Sequence, residues 1–181
     1  MLLYDMRGDF MDTNIVYNNE EINMFHLPRW NEFPNIDLYI DQVVCLLEDA
    51  LSEHIKSDND KEDKIITKTM INNYVKHNII KPPINKKYNK EHLAYLFVIF
   101  ILKQVYSISE IKKLIDLAIK TSSPEQAYNK FCNELEKAVK LTFSGEGYIK
   151  KDSLTQEQYI LRNVVQSFAN KLYVQKIFLR N

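Results

Sequence analysis

Residues 93–102, Leu93-Ala94-Tyr95-Leu96-Phe97-Val98-Ile99-Phe100-Ile101-Leu102, are apolar without a break. Asn89 precedes them where a helix cap belongs, and polar residues return at Lys103 and Gln104. A helix over about 91–105 that is apolar nearly all round cannot lie on a surface. It is the expected centre of a core, with other elements packed around it. The chain has no run of about eighteen apolar residues, the length a membrane-spanning helix needs.

The segments on either side also read as helices. Leu38, Val43, Val44, Leu46, Leu47, Ala50 and Leu51 follow a three-and-four spacing that predicts a helix over 37–55, with Asp37 as its cap. Ser107 or Ser109 starts a helix carrying Ile111, Leu114, Ile115 and Leu117. Pro124 opens another, with Ala127, Tyr128, Phe131, Cys132, Leu135, Ala138 and Val139 on one stripe. A last helix over about 155–179 carries more apolar surface than a terminal helix buries in a small domain, which points to packing on its neighbour or on a second copy. Three glycines and five prolines leave few hairpin signals, so the expected fold class is all-α. The expected organisation is an acidic arm over 1–25, a domain over 26–121, and C-terminal helices over 122–181 serving dimerisation or effector binding.

Several function classes are poorly served by these residues. His26, His54, His77 and His92 show no zinc-ligand spacing, and the chain has no glycine-rich phosphate loop and no nucleophile elbow. The Asp58-Asn59-Asp60 stretch superficially matches a calcium loop, but Asp63 stands where the turn glycine belongs and Thr69 where the bidentate glutamate belongs. No enzyme activity, no metal and no cofactor are therefore expected. Cys45 and Cys132 both sit in apolar helical patterns and read as buried small hydrophobes. The N-terminus has acids where a signal peptide needs a long apolar stretch, so the expected location is cytoplasmic.

The net charge of zero hides an uneven distribution. Residues 1–63 hold fifteen acids against four basic residues, whereas 64–113 hold ten lysines against Glu91 and Glu110. A basic middle suits a polyanionic partner. Within it, a helix through 69–77 puts Met70, Ile71, Tyr74 and Val75 on an inner stripe. Lys68, Thr69, Asn72, Asn73, Lys76 and His77 then lie on the outer face. Asn78 can end the helix in the left-handed conformation, Ile79 and Ile80 can tuck into the core, and Pro82-Pro83 enforces the stop. Ile84-Asn85-Lys86-Lys87-Tyr88 then forms a basic turn, too short for a sheet.

The run Met70 to Pro82, then Lys87-Tyr88, then Ser107-Ile108-Ser109-Glu110-Ile111 resembles the MerR-like winged helix-turn-helix. With the Leu27-Pro28-Arg29-Trp30 opening, residues 26–120 more closely resemble an uncharacterised bacterial domain-of-unknown-function family, number 1836, described as MerR-like. Asn72 stands where MerR proteins usually carry an arginine, Asn73 replaces an aromatic, and Lys86 and Lys87 stand in for a wing arginine. The resemblance implies a MerR-like helix-turn-helix with a minimal wing and a C-terminal helical extension, acting as a sequence-specific transcriptional regulator. Double-stranded DNA and a second copy of the chain are the implied partners; many MerR-like proteins also sense a small-molecule effector, here unidentified.

On that reading Asn72 and Asn73 pair with adenine edges, while Lys68, Lys76, Lys86, Lys87 and Lys90 neutralise phosphates. Thr69 and His77 share the same face, and Tyr88 donates its hydroxyl to a phosphate. The alternative is a non-enzymatic protein-interaction module on the same scaffold, docking through apolar surface of the last helix. In that case Asn72, Asn73 and Lys76 are a solvated helix face, and Tyr74 on the inner stripe is a core aromatic.

Overall fold

The computed structural model describes residues 25–55, 66–146, 148 and 153–179. The acidic arm up to residue 24 and the loop over 57–64, with its Asp58-Asn59-Asp60 stretch, lie outside them.

Six α-helices and one two-stranded ribbon make up the described residues, apart from a short 3-10 turn at Trp30–Glu32. In chain order they are β1 (Leu38–Tyr39), α1 (Ile40–Leu51), α2 (Lys68–Lys76), β2 (Lys87–Tyr88), α3 (Lys90–Leu102), α4 (Ile108–Ile119), α5 (Pro124–Phe143) and α6 (Gln156–Ile177). None of these helices is long and apolar enough to cross a membrane.

α3 is the central element. Leu96, Phe97, Ile99, Phe100 and Ile101 are fully buried, around most of the helix, with Tyr95 and Val98 half-buried on the remaining side. Asn89 caps it by accepting from the backbone N–H of His92. The helix ends at Leu102, where i→i−3 bonds from Gln104 to Ile101 and from Val105 to Leu102 tighten the chain into the turn before Ser107. One core runs from Leu27 and Leu47 through α3 to Phe131, Leu135, Val165 and Phe168, so the segments 26–121 and 122–181 share their apolar interior. The most extensive helix–helix packing is between α5 and α6. Ser107, Ser123 and Thr155 each accept from a backbone N–H three residues on, at the starts of α4, α5 and α6. α5 ends in a Schellman turn, where Gly145 takes the positive φ of 73°.

The N-terminal segment is strapped to α5. The Arg29 guanidinium holds the Glu136 carboxylate through two nitrogens, one at 2.7 and one at 2.5 Å. Glu136 also accepts from the Leu27 backbone N–H at 3.0 Å. Asn129 accepts from the backbone N–H of Trp30, and the Tyr128 hydroxyl donates to the Pro28 carbonyl. Phe33 stacks on Phe97 at 5.6 Å, which seats the 3-10 turn against α3.

The structure corrects the expected start of the first helix. Asp37 is not its cap: Leu38 and Tyr39 are extended and pair antiparallel with Tyr88 and Lys87. The helix begins at Ile40, where Gln42 reaches back to the backbone N–H of Tyr39. A ribbon partner some fifty residues away outweighs local helix propensity at these two positions. The basic turn, expected to be too short for a sheet, accordingly ends in one strand of a two-residue ribbon; the rest of the described fold is helical, consistent with the all-α class. Cys132 is buried as expected, and burial pushes its thiol up to about 12, which keeps it protonated. Cys45 is not buried: it lies exposed on α1, beside Asp49, because the stripe facing the core is Val43, Leu47 and Leu51.

Candidate nucleic-acid interface

Thr67 starts α2 by accepting from the backbone N–H of Met70 at 3.3 Å. The helix turns Ile71 and Tyr74 into the core, with Met70 and Val75 half-buried beside them. Tyr74 meets Phe100 of α3 edge to face at 5.7 Å, so it is a core aromatic. Lys68, Thr69, Asn72, Asn73, Lys76 and His77 are all exposed. This is the division that the helical period of the sequence predicts.

The C-terminus of α2 is fixed by its backbone. Asn78 has φ 54°, its N–H donates to the Val75 carbonyl, and the N–H of Ile79 donates to the Tyr74 carbonyl. Those two bonds form a Schellman motif with asparagine in the left-handed position, and Ile80 enters the core behind it. The exposed face of α2 is thus carried on a helix anchored at both ends.

The hairpin that follows is tighter than the sequence suggests. Ile84 and Lys87 exchange two backbone hydrogen bonds, at 3.1 and 2.9 Å. Asn85 and Lys86 between them have φ 50° and 63°. Positive φ at both central residues is the mark of a type I′ turn, whose usual second residue is glycine. Here that place holds a lysine, exposed at the tip.

Strand alternation decides what the hairpin presents. Leu38 pairs with Tyr88 and both are buried; Tyr39 pairs with Lys87 and both point outward, with the Lys87 ammonium 5.2 Å from the Tyr39 ring. Tyr88 is therefore no phosphate donor. At 3% exposure it belongs to the core, edge-on to His92 at 5.4 Å, and burial raises its pKa. His92, itself buried, also approaches the Pro82 carbonyl at 3.4 Å, which ties the hairpin's entry to the first turn of α3.

The basic residues differ in how freely they face solvent. Among the described residues Lys76 and Lys86 form no ion pair. Lys68 pairs with Asp41 across the surface, a contact too exposed to hold it firmly. Lys90 is half-buried and donates to the Trp30 carbonyl at 3.3 Å, so its ammonium is partly committed to the fold. Both α2 and β2 pack on α1, and Tyr74 and His92 tie each of them to α3.

Sequence reasoning missed three exposed apolar side chains around the hairpin: Ile36 (71%), Tyr39 (53%) and Ile84 (66%). Tyr39 read as the inside of a helix and Ile84 as part of a loop. Only the strand register, which needs the Lys87 partner, turns Tyr39 and Ile84 outward together; Ile36 precedes the strand.

No curated protein matches the chain, and no solved structure does. The family profile of a domain of unknown function, DUF1836, matches residues 28–131. That span starts at the Pro28-Arg29-Trp30 strap, takes in α1, the α2 face, the hairpin, α3 and α4, and ends inside α5 near the Tyr128 and Asn129 that receive the strap. The chain belongs to the DUF1836 family.

Proposed function

We propose that this protein binds double-stranded DNA in a sequence-dependent way, with α2 as a recognition helix, the Asn85-Lys86 hairpin as a minimal wing, and transcriptional regulation of the MerR-like type as its role. One observation carries the reading. An anchored helix exposes two adjacent carboxamides, Asn72 and Asn73, flanked by Lys68 and Lys76, and runs directly into a hairpin tipped by a lysine. Carboxamides can read adenine through its ring nitrogen and amino group, while lysines neutralise phosphates and fix the register. Lys76 and Lys86 are the lysines best placed for phosphate, and Lys68, Lys87 and Lys90 contribute after giving up their present contacts. Thr69 and His77 border the same face.

The functional unit proposed is a homodimer. Val174, Phe178 and Leu179 are exposed at the end of α6, the helix whose apolar content exceeds what the chain buries. A second reading has its own support: exposed Tyr39 and Ile84 flank Lys87 and give the hairpin an apolar border that suits a protein partner, without catalysis.

Selection of bound fragments from a pool of genomic DNA separates the two. A recovered common sequence whose enrichment is lost in Asn72→Ala, with folding unchanged, supports base reading. Discrimination should fall by roughly 1–3 kcal/mol. Recovery of no sequence, together with partner capture that depends on Ile84 and Tyr39, would move the function to the docking reading.

A further inference from the structure

A second site lies on the side of α3 facing α4, α5 and α6. The four helices enclose a cavity of about 110 Å³ whose walls include Val98, Leu102, Leu114, Phe131, Ile160 and Val164. It opens between the α4–α5 turn and the start of α6.

The polar groups around it are either committed elsewhere or at the mouth. Tyr95 and Tyr128 both line the cavity, but their hydroxyls donate outward, to Glu91 at 3.1 Å and to the Pro28 carbonyl at 2.7 Å. Lys130 and Glu157 stand exposed at the opening, one charge of each sign, so the entrance favours neither anion nor cation. A ligand there meets hydrocarbon and ring faces, with no interior donor or acceptor to match. An enclosed apolar cavity of roughly 150 Å³ holds benzene. One of 110 Å³ with an open mouth takes a single ring with a methyl-sized apolar substituent held against the walls near the opening.

We propose that this cavity binds a small uncharged apolar molecule, of the size of one substituted aromatic ring. Binding is read without DNA, so its outcome is independent of the proposal made for α2.

The test uses toluene as the probe and benzoate as its charged counterpart, followed by thermal denaturation and by amide chemical shifts of the full chain. Toluene should raise Tm and move the amides of α4 and α5 saturably, and benzoate should do neither. Ala127→Leu, on the cavity wall, should weaken toluene binding by roughly tenfold or more. Ala118→Leu, at an exposed wall position, supplies a second filled variant should the first fold poorly. The proposal is overturned if toluene leaves the wild type unchanged, if it binds both filled variants as well as the wild type, or if benzoate binds equally. It is also overturned if sedimentation shows a dimer that Ala127→Leu dissociates, because the groove then belongs to a second copy of the chain.

Discussion

Lys86 occupies a backbone conformation that glycine adopts freely and a β-carbon resists. Holding a lysine there costs on the order of 1 kcal/mol. The strain places an ammonium at the tip of the hairpin, facing solvent. Lys86→Gly should therefore raise the unfolding free energy by about 1 kcal/mol in urea denaturation. On the DNA-binding reading the same variant should lose affinity and reduce the salt dependence by about one phosphate contact. A variant that is stabilised but keeps full DNA affinity would remove Lys86 from the interface.

His54 is a second residue with a measurable signature. It packs edge-on to Phe25 at 4.6 Å, and its Nδ1 is buried with no hydrogen-bond partner among the described residues. Burial, aided by the nearby Lys176 charge, lowers its pKa from 6.5 to about 4. Above pH 6.5 the ring is neutral in both the folded and unfolded chain and contributes no pH dependence. Between 6.5 and 4 the unfolded chain takes up a proton that the folded chain refuses, so stability falls as pH falls. The loss across that window is about 3 kcal/mol at most. His54→Leu should flatten the urea-midpoint profile between pH 6.5 and 4; an unchanged slope would show that the ring titrates normally.

At the scale of elements, a partly buried ion pair joins the N-terminal strap to α5. Arg29 and Glu136 are each about four-fifths covered. Burial opposes the Glu136 charge, yet the Arg29 guanidinium and the Leu27 N–H outweigh it and hold the carboxyl below its usual range. Removing Arg29 leaves that largely covered carboxylate with only the Leu27 N–H and the exposed His26 ring beside it. Arg29→Ala should cost about 2–3 kcal/mol, measured by denaturation. Its stabilising contribution is present above the ordinary carboxylate range and is lost as pH drops through the lowered value, adding to the acid sensitivity from His54. A cost within experimental error would mean that the strap is held by Leu27 and Phe33 packing with the Asn129 and Tyr128 hydrogen bonds.

This pair also shows what the sequence could and could not disclose. The C-terminal limit of α2 was legible because it is set within a few residues: Asn78 turns left-handed and Pro82-Pro83 blocks continuation; the Thr67 cap, one residue ahead of the observed start, was not read from the sequence. The outer face of α2 followed from the helical period alone. Arg29 and Glu136 are 107 residues apart, and no local pattern couples them. The same distance problem hid β1: Leu38 fits a helical stripe and Tyr39 falls within the helix expected over 37–55 until the strand at Lys87-Tyr88 recruits them. Tyr88 followed from that error. In a two-residue strand one neighbour faces the core and the other the solvent, and the sequence by itself does not say which.

For the whole molecule, the continuous core makes α5 and α6 part of the body that supports the α2 face. Tyr106 and Ser167 hydrogen-bond at 2.8 Å between the α3–α4 turn and α6, which fixes that helix against the centre. Its far end is different. Val174, Phe178 and Leu179 stay exposed, with Phe178 at 75%. If they join two copies, Phe178→Asp should give a folded monomer by sedimentation velocity where the wild type is a dimer. A wild type that is monomeric at high concentration would remove α6 from that role.

The most direct test of DNA binding is a fluorescence-anisotropy titration of the full chain on a DNA duplex over a series of salt concentrations, beside a Lys76→Glu, Lys86→Glu double variant. Binding that weakens linearly in log–log form is expected, with a slope of roughly −3 to −5 per bound protomer and a smaller slope in the double variant. No binding at low salt, or binding whose slope the double variant leaves untouched, would contradict the assignment of α2 and its hairpin as a DNA-contacting surface.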